Sequence, residues 1–425
     1  MDKLLPLSFT FLVFIFMVFK LWMRSKIKEA PKNLPPAPWK LPIIGHLHLL
    51  IFALPHQRLA ELAKRHGSVM HLQLGELSQV VVSSSEAAQE VMKTHDINFA
   101  NRPFLLGRCK KHEAFISFLK KFVEAMGGFN IADLFPSIKF LPDLSGMRAE
   151  LERLHHDIDT MLESIIQEHR DSSANPEDSV DVTEDLVDVL LNLQDHGGLE
   201  FPLTINNIKA VILDILMGGT ETSSTLAEWA MSEMMKNPRI LGKAQAEVRE
   251  LYDKTGDVNE SNLHELKYLK LVIKETLRLH PPLPLLVPRE NSERCEINGY
   301  EIPAKTRVIV NAWAIGRDSN CWNEAERFYP ERFIDGSVDY KGANFEFIPF
   351  GAGRRICPGM SYGMAVVELS LAKLLSHFDW KLPNGMKNED LDMTEVFGAS
   401  VGRRSELYLI PTPYHLRMTV EQDGS

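Results

Sequence analysis

Cysteine is scarce in this chain. Cys109, Cys295, Cys321 and Cys357 are the only four in 425 residues, and the first three show no ligand spacing. That excludes a disulfide-built scaffold and fits a reducing compartment. A basic surplus is also missing: 47 lysines and arginines stand against 57 aspartates and glutamates, for a formal net charge of −10. Nucleic acid, which requires a basic face, is set aside as a partner. A local basic patch for an acidic protein partner stays open. There is no internal repeat, and the only biased tract is one proline-rich segment. Apolar residues make up 44% of the chain, ordinary for a globular protein that buries one large core or two smaller ones.

Charge is also nearly absent from Leu4 to Met23, where Lys20 is the single ionised side chain. About 20 apolar residues span a bilayer as a helix. No small-residue cleavage site follows, which argues against a signal peptide. A buried core helix is the competing reading, but Trp22 and the basic Arg24, Lys26 and Lys28 suit a membrane boundary. With only Lys3 before the span, the positive-inside bias puts the bulk of the chain in the cytosol. Pro31, Pro35, Pro36, Pro38 and Pro42 then predict an extended, semi-rigid connection. The expected organisation is an anchor at 1–23, a basic and proline-rich hinge at 24–45, and one domain at 46–425. The sequon at Asn259 would go unused on a cytosolic face.

Ser68–Ser83 alternates and predicts a hairpin closed near Gly75-Glu76. A helix is expected over 85–94 with Ser85 as N-cap. Apolar spacings of three and four from Met147 predict an amphipathic helix to about His169, followed by a polar loop at 171–179. Further helices are expected over 182–193, ended by Gly197-Gly198, over 204–236, stopped by Pro238, and over 263–279, ended by Pro281-Pro282. Residues 296–310 alternate as strands, with a turn at Asn298-Gly299. The fold class is mainly α with a small β-sheet.

The most informative stretch is Phe350-Gly-Ala-Gly-Arg-Arg-Ile-Cys-Pro-Gly359. Glycines let a backbone pass close to a flat macrocycle. Arg354, Arg355 and the start of the following helix favour an ionised sulfur at Cys357. A free cysteine in a glycine-rich turn is the plainer alternative. The stretch matches Phe-x-x-Gly-x-Arg-x-Cys-x-Gly at every defined position and so resembles the haem-binding loop of the cytochrome P450 monooxygenases. The resemblance implies the P450 fold and haem b (iron protoporphyrin IX). It makes Cys357 the axial iron ligand, with Phe350, Gly351, Gly353, Gly359 and Arg355 around the cofactor. A thiolate ligand favours O–O cleavage.

Gly218-Gly-Thr-Glu-Thr222 interrupts the long apolar helix. Two glycines there cost about 1 kcal/mol each relative to alanine. Alone, a helix-packing pair is the better explanation. In order before Cys357, the stretch resembles the family's oxygen-activation motif. That implies a locally opened helix beside bound oxygen, with Glu221 and Thr222 relaying the protons that O–O cleavage consumes. Glu275-Thr-Leu-Arg278 and Pro330-Glu-Arg-Phe333 resemble the family's Glu-x-x-Arg network, completed here by Arg332; its role is structural. Arg289 is placed where the family often contacts a haem propionate, a surface arginine being the alternative. His280 is a poor candidate ligand beside Cys357.

By position in the family, Ile212, Leu216 and Gly218, then Leu285, Leu286 and Val287, then Ala399 to Val401 would line an apolar substrate pocket. Plain core is the alternative for each. Gly127–Pro136 and the Gly-Gly-Thr-Glu-Thr-Ser-Ser form resemble a plant clan that includes terpenoid hydroxylases. The resemblance implies a lipophilic substrate such as a sesquiterpene, and electrons from NADPH through NADPH-cytochrome P450 reductase. It also implies a monomer, anchored by a single span in the endoplasmic reticulum membrane.

One region departs from the family. After Phe99–Pro103 the family continues through several helices, one carrying Trp-x-x-x-Arg. Here Leu105-Leu106 leads almost directly to Lys110-Lys111-His112-Glu113, and no tryptophan lies between Trp39 and Trp229. The P450 domain is therefore expected to be incomplete, shortened near 104–111. A catalytically impaired splice or gene-model variant, or a membrane protein that binds haem or a partner without turnover, are the competing readings.

Overall fold

The computed structural model describes residues 33–51, 53–100, 134–135, 147–174, 184–398 and 400–414. Leu4–Met23, the shortened region at 104–111, Cys109 and Ala399 lie outside them. Among the described residues, no helix is long and apolar enough to cross a membrane.

In chain order the elements are α1 (Pro55–His66), β1 (Val69–Leu74), β2 (Leu77–Val82), α2 (Ser85–Gln89), α3 (Met147–Ala174), α4 (Leu186–His196) and α5 (Ile205–Lys236). They continue with α6 (Pro238–Thr255), α7 (Lys267–Leu279), β3 (Arg289–Glu290), β4 (Cys295–Ile297), β5 (Tyr300–Ile302), β6 (Arg307–Val310) and α8 (Ala312–Ile315). The chain ends with α9 (Met360–His377), β7 (Phe378–Lys381), β8 (Glu395–Val396), β9 (Gly402–Arg403) and β10 (Ile410–Pro413). The architecture is mainly helical with a small sheet, as the periodicities predict.

The sheet runs β1-β2-β6-β3. β1 and β2 pair antiparallel from Val69 opposite Val82 to Leu74 opposite Leu77, so the hairpin closes at Gly75-Glu76 as expected. β6 joins β2 in parallel, Val82 lying opposite Val310. β4 and β5 form a second hairpin whose turn residues Asn298 and Gly299 both have positive φ, +48° and +76°. Asparagine and glycine tolerate that pair of conformations best.

Several boundaries differ from the sequence reading. Ser84, not Ser85, caps α2: it has extended dihedrals and its hydroxyl accepts from Ala87 N. The chain then widens into a π-turn over Glu90–Thr94. α3 continues to Ala174, five residues past the predicted end, so part of the expected polar loop is helical. Pro238 stops α5 but also starts α6 as its first residue, where a missing N–H costs nothing. Leu263–Glu265 is a separate 3-10 turn before α7. α5 begins with a reciprocal cap between Thr204 and Asn207.

The main core lies where α5, α6, α7 and α9 meet, through Leu226, Met234, Val248, Leu269, Val272 and Leu371. A second cluster under the sheet joins Val80, Val82, Val308 and Val310 to Met92, Phe345, Ile348 and Ala352. The cysteine loop is thus rooted in packed side chains at both ends.

Candidate functional site

The loop before Cys357 folds through backbone bonds and close packing. Gly351 and Gly353 both sit at positive φ, +72° and +69°. A Cβ at Gly353 would lie 2.1 Å from the Met92 carbonyl oxygen and 2.6 Å from Asp96 Oδ1. Only glycine fits. Cys357 N donates to Phe350 O at 3.0 Å, which closes the loop. Phe350 is half-buried and packs edge-on against Tyr340 at 5.3 Å. Cys357 is a free, half-buried thiol just before Gly359, the N-cap of α9. Gly353→Ala is expected to lower the unfolding free energy by about 2 kcal/mol or more, from left-handed strain plus overpacking. Gly359→Ala, where a Cβ meets nothing within 4 Å, is expected to change it by less than about 0.5 kcal/mol. Equal denaturant midpoints for the two variants would contradict this account of the loop.

Asp96 organises the back of this loop, and no motif pointed to it. Both its carboxylate oxygens accept from Arg354 N at 3.1 Å. The same group lies 3.4 Å from Arg354 Nε and 3.7 Å from Arg289 Nη1. Arg355 donates Nε to Ala100 O at 2.7 Å. Both loop arginines therefore turn toward residues 96–100, and among the described residues no bond ties either to the Cys357 sulfur.

Arg289 is buried at the edge of the sheet, not on the surface. Its Nη2 donates to Ala352 O at 2.8 Å, which ties β3 to the cysteine loop. Burial pushes the guanidinium down from its ordinary range, and the Asp96 carboxylate pulls against that. Its Nη1 is buried with no hydrogen-bond partner among the described residues. An unpaired buried donor on a charged group is costly, and a carboxylate-bearing ligand at this edge would relieve it. The residues present therefore fit a haem, with Cys357 for iron and Arg289 for an acid edge.

The glycine motif on α5 meets the first turns of α9. A Cβ at Gly219 would lie 3.9 Å from the Tyr362 ring, and one at Gly363 would lie 3.6 Å from Ser223 Oγ. A Cβ at Gly219 would make only an ordinary contact and one at Gly218 would meet open space, so neither glycine is required by close helix packing. The expected local opening of the helix is absent: α5 runs unbroken from Ile205 to Lys236. Thr222 Oγ1 donates to Gly218 O at 2.5 Å, a bond made along an intact helix. Glu221 Oε1 accepts from Ser400 Oγ at 2.8 Å.

Glu275, Arg278 and Arg332 are brought together. Arg278 grips Glu275 with Nε at 2.8 Å and Nη2 at 2.7 Å, both side chains fully buried. Arg332 Nε adds bonds of 3.0 and 3.1 Å to the two carboxylate oxygens, and Tyr329 N adds one of 2.8 Å. Arg278 Nη1 donates to Gly316 O and Ala325 O, both at 2.6 Å. The network pins α7 to the long segment that leads to the cysteine loop.

The pocket positions are scattered. Ile212 is core, packed with Ile158 and Leu191, and Leu216 joins the same cluster. Leu285 packs against the α1–β1 cluster, Leu286 against the sheet cluster, and Val287 is exposed. Val401 is buried, and its carbonyl accepts from Trp229 Nε1 at 3.0 Å. Family position marked a surface here, whereas burial divides these side chains among separate clusters.

His280 is engaged elsewhere than near Cys357. It stacks on Trp229 with centroids 4.0 Å apart, and its Nε2 pairs with Glu233 Oε1 at 2.8 Å. His56 Nε2 pairs with Glu395 Oε2 at 2.8 Å, and His280 Nδ1 lies 3.8 Å from Glu395 Oε1. Burial pushes the Glu395 carboxyl up, but the bond to His56 and the nearby His280 ring outweigh it and hold it well below the usual carboxylate range.

The profile of the family described as Cytochrome P450 matches residues 35–113 and 104–410. Premnaspirodiene oxygenase of Hyoscyamus muticus is 45% identical, over 96% of this chain and 97% of that protein. 5-epiaristolochene 1,3-dihydroxylase of Nicotiana tabacum is also 45% identical, with the same coverage. Desmethyl-deoxy-podophyllotoxin synthase of Sinopodophyllum hexandrum is 46% identical, again over 96% and 97%. The first of these alignments extends over 491 positions, more than the 425 residues of this chain, so that relative carries residues this chain lacks. A solved zebra fish cytochrome P450 with abiraterone superposes with a TM-score of 0.67 at 22% identity, over 85% of this chain and 99% of that one, which shows the fold. On its fold, its cysteine loop and these relatives, this chain belongs to the cytochrome P450 family, haem monooxygenases.

Proposed function

We propose that this chain is a microsomal monooxygenase of a lipophilic terpenoid, a sesquiterpene being the best fit, with Cys357 as the axial ligand of haem b. The observation that carries it is the folded Phe350–Gly359 loop, with a half-buried free thiol just before the first turns of α9, which meet α5 at Gly219 and Ser223. Haem bound through a thiolate supplies the oxygen-activating chemistry. Arg289 and Arg355 hold its acid edges, and Phe350, Gly351, Gly353 and Gly359 shape the loop beneath it. Thr222 and Glu221 hold and deliver protons. Glu275, Arg278 and Arg332 keep the domain in register. Leu285, Leu286, Val287, Ala399 and the α5 face near Gly218 receive the substrate. Residues 1–23 anchor the chain in the endoplasmic reticulum membrane, 24–45 form the hinge, and the haem domain faces the cytosol. NADPH-cytochrome P450 reductase supplies electrons. The plant relatives named for premnaspirodiene and 5-epiaristolochene support the sesquiterpene class.

A second reading is a catalytically impaired variant of such an enzyme. It is favoured by the family profile matching in two stretches that meet at 104–113, and by the missing tryptophan in that region. The test is turnover of premnaspirodiene by the full chain with reductase and NADPH. Oxygenated product with matching NADPH consumption supports the first reading. Haem-loaded protein without product on this or other sesquiterpenes supports the second.

A further inference from the structure

Between β8 and β9 the chain forms a short loop over the centre of α5. It is pinned from several directions. Glu395 accepts from His56 and Gln57 at 2.8 and 2.7 Å at the loop entry. Val401 N donates to Pro282 O at 2.8 Å, and its carbonyl accepts from Trp229 Nε1 at 3.0 Å. At the exit Arg403 Nη1 donates to Ser232 Oγ at 2.6 Å. Ser400 is held between these anchors, 5% exposed, and its hydroxyl donates to Glu221 Oε1 at 2.8 Å.

We infer that Ser400 is a positioning residue for Glu221, fixing the carboxylate that works beside Thr222 in proton delivery. The inference rests on the proposed reading of Glu221. A glutamate side chain has three rotatable bonds, so a half-buried one samples many positions unless something holds it. A bond to a charged acceptor is among the stronger kinds, and the residue that follows this donor is itself held, Val401 N by Pro282 O and Val401 O by Trp229. The serine is flanked by Ala399 and Val401, so one loop carries both the acid's support and two of the positions proposed to border substrate.

The test uses the full chain and three variants: Ser400→Ala, Ser400→Thr and Glu221→Gln. The infrared carboxylate band of Glu221 is identified as the one lost in Glu221→Gln. It is expected to shift in Ser400→Ala and to keep its position in Ser400→Thr, which retains a hydroxyl. An unmoved band in Ser400→Ala overturns the inference, with or without haem. The second readout follows haem-loaded protein given reductase and NADPH and no substrate. Two electrons and two protons reduce O2 to H2O2; four of each reduce it to two waters. Slower proton delivery favours peroxide. The peroxide-to-water ratio is expected to rise about tenfold in Ser400→Ala, with the apparent KM for reductase unchanged. Adding Ser400→Ala to Glu221→Gln is expected to change the ratio no further. Additive effects would show that the two act separately and overturn the inference. Absence of thiolate-type haem binding in the unaltered chain would defeat the functional proposal instead, and the infrared arm would then decide the role of Ser400 by itself.

Discussion

In reduced Cys357→Ala protein treated with carbon monoxide, the absorption band typical of thiolate-bound haem is expected to vanish completely. Among the described residues no neighbouring group can replace the sulfur. Cys295 lies on β4 and Cys321 in a different loop, packed beside Ser85. His280 is occupied by Trp229 and Glu233. The loop itself survives the change, because its shape comes from Gly351, Gly353 and the Cys357 backbone N–H, none of which the substitution removes. Unfolding midpoints should therefore stay within about 1 kcal/mol of the unaltered protein. A Cys357→His variant should bind haem with the spectrum of nitrogen ligation. A retained thiolate band in Cys357→Ala would place the ligand elsewhere.

The second large effect is on stability. Arg278→Ala leaves the Glu275 carboxylate, itself fully buried, without its bidentate partner and frees three carbonyls that Arg278 now serves. Breaking one side of a buried pair costs about 3–5 kcal/mol, against about 5–15 kcal/mol for a whole domain. Arg278→Lys should not rescue, since a single ammonium cannot reproduce that fork. Arg327→Ala removes an exposed pair with Glu324 and should cost less than about 1 kcal/mol. Similar denaturant midpoints for Arg278→Ala and Arg327→Ala would contradict the structural role given to the network.

The features legible from spacing alone are those whose partners are close along the chain; Arg332, 57 positions from Glu275, is reached only through the family resemblance. Glu275 and Arg278 are three residues apart on one helix, and the two hairpins close over adjacent turn residues. Those not legible join residues far apart. Asp96 reaches Arg354 across 258 positions, Ser400 reaches Glu221 across 179, and His56 reaches Glu395 across 339. Nothing in local spacing marks such pairs. Ser84 and Ser85 are equivalent as letters, and only the extended backbone at Ser84 decides which one caps α2. The uninterrupted helix at Gly218-Gly219 has the same origin. Glycine permits an opening but does not impose one, and the unbroken α5 with its Thr222 back-bond prevails.

The chain's alignment to a relative longer than itself makes haem retention the decisive property. The most direct measurement is a haemin titration of purified full-length protein, followed by reduction and exposure to carbon monoxide. Stoichiometric binding with the thiolate-type band is the predicted result. Folded protein that stays colourless, or that holds the iron through nitrogen, would contradict the assignment of Cys357.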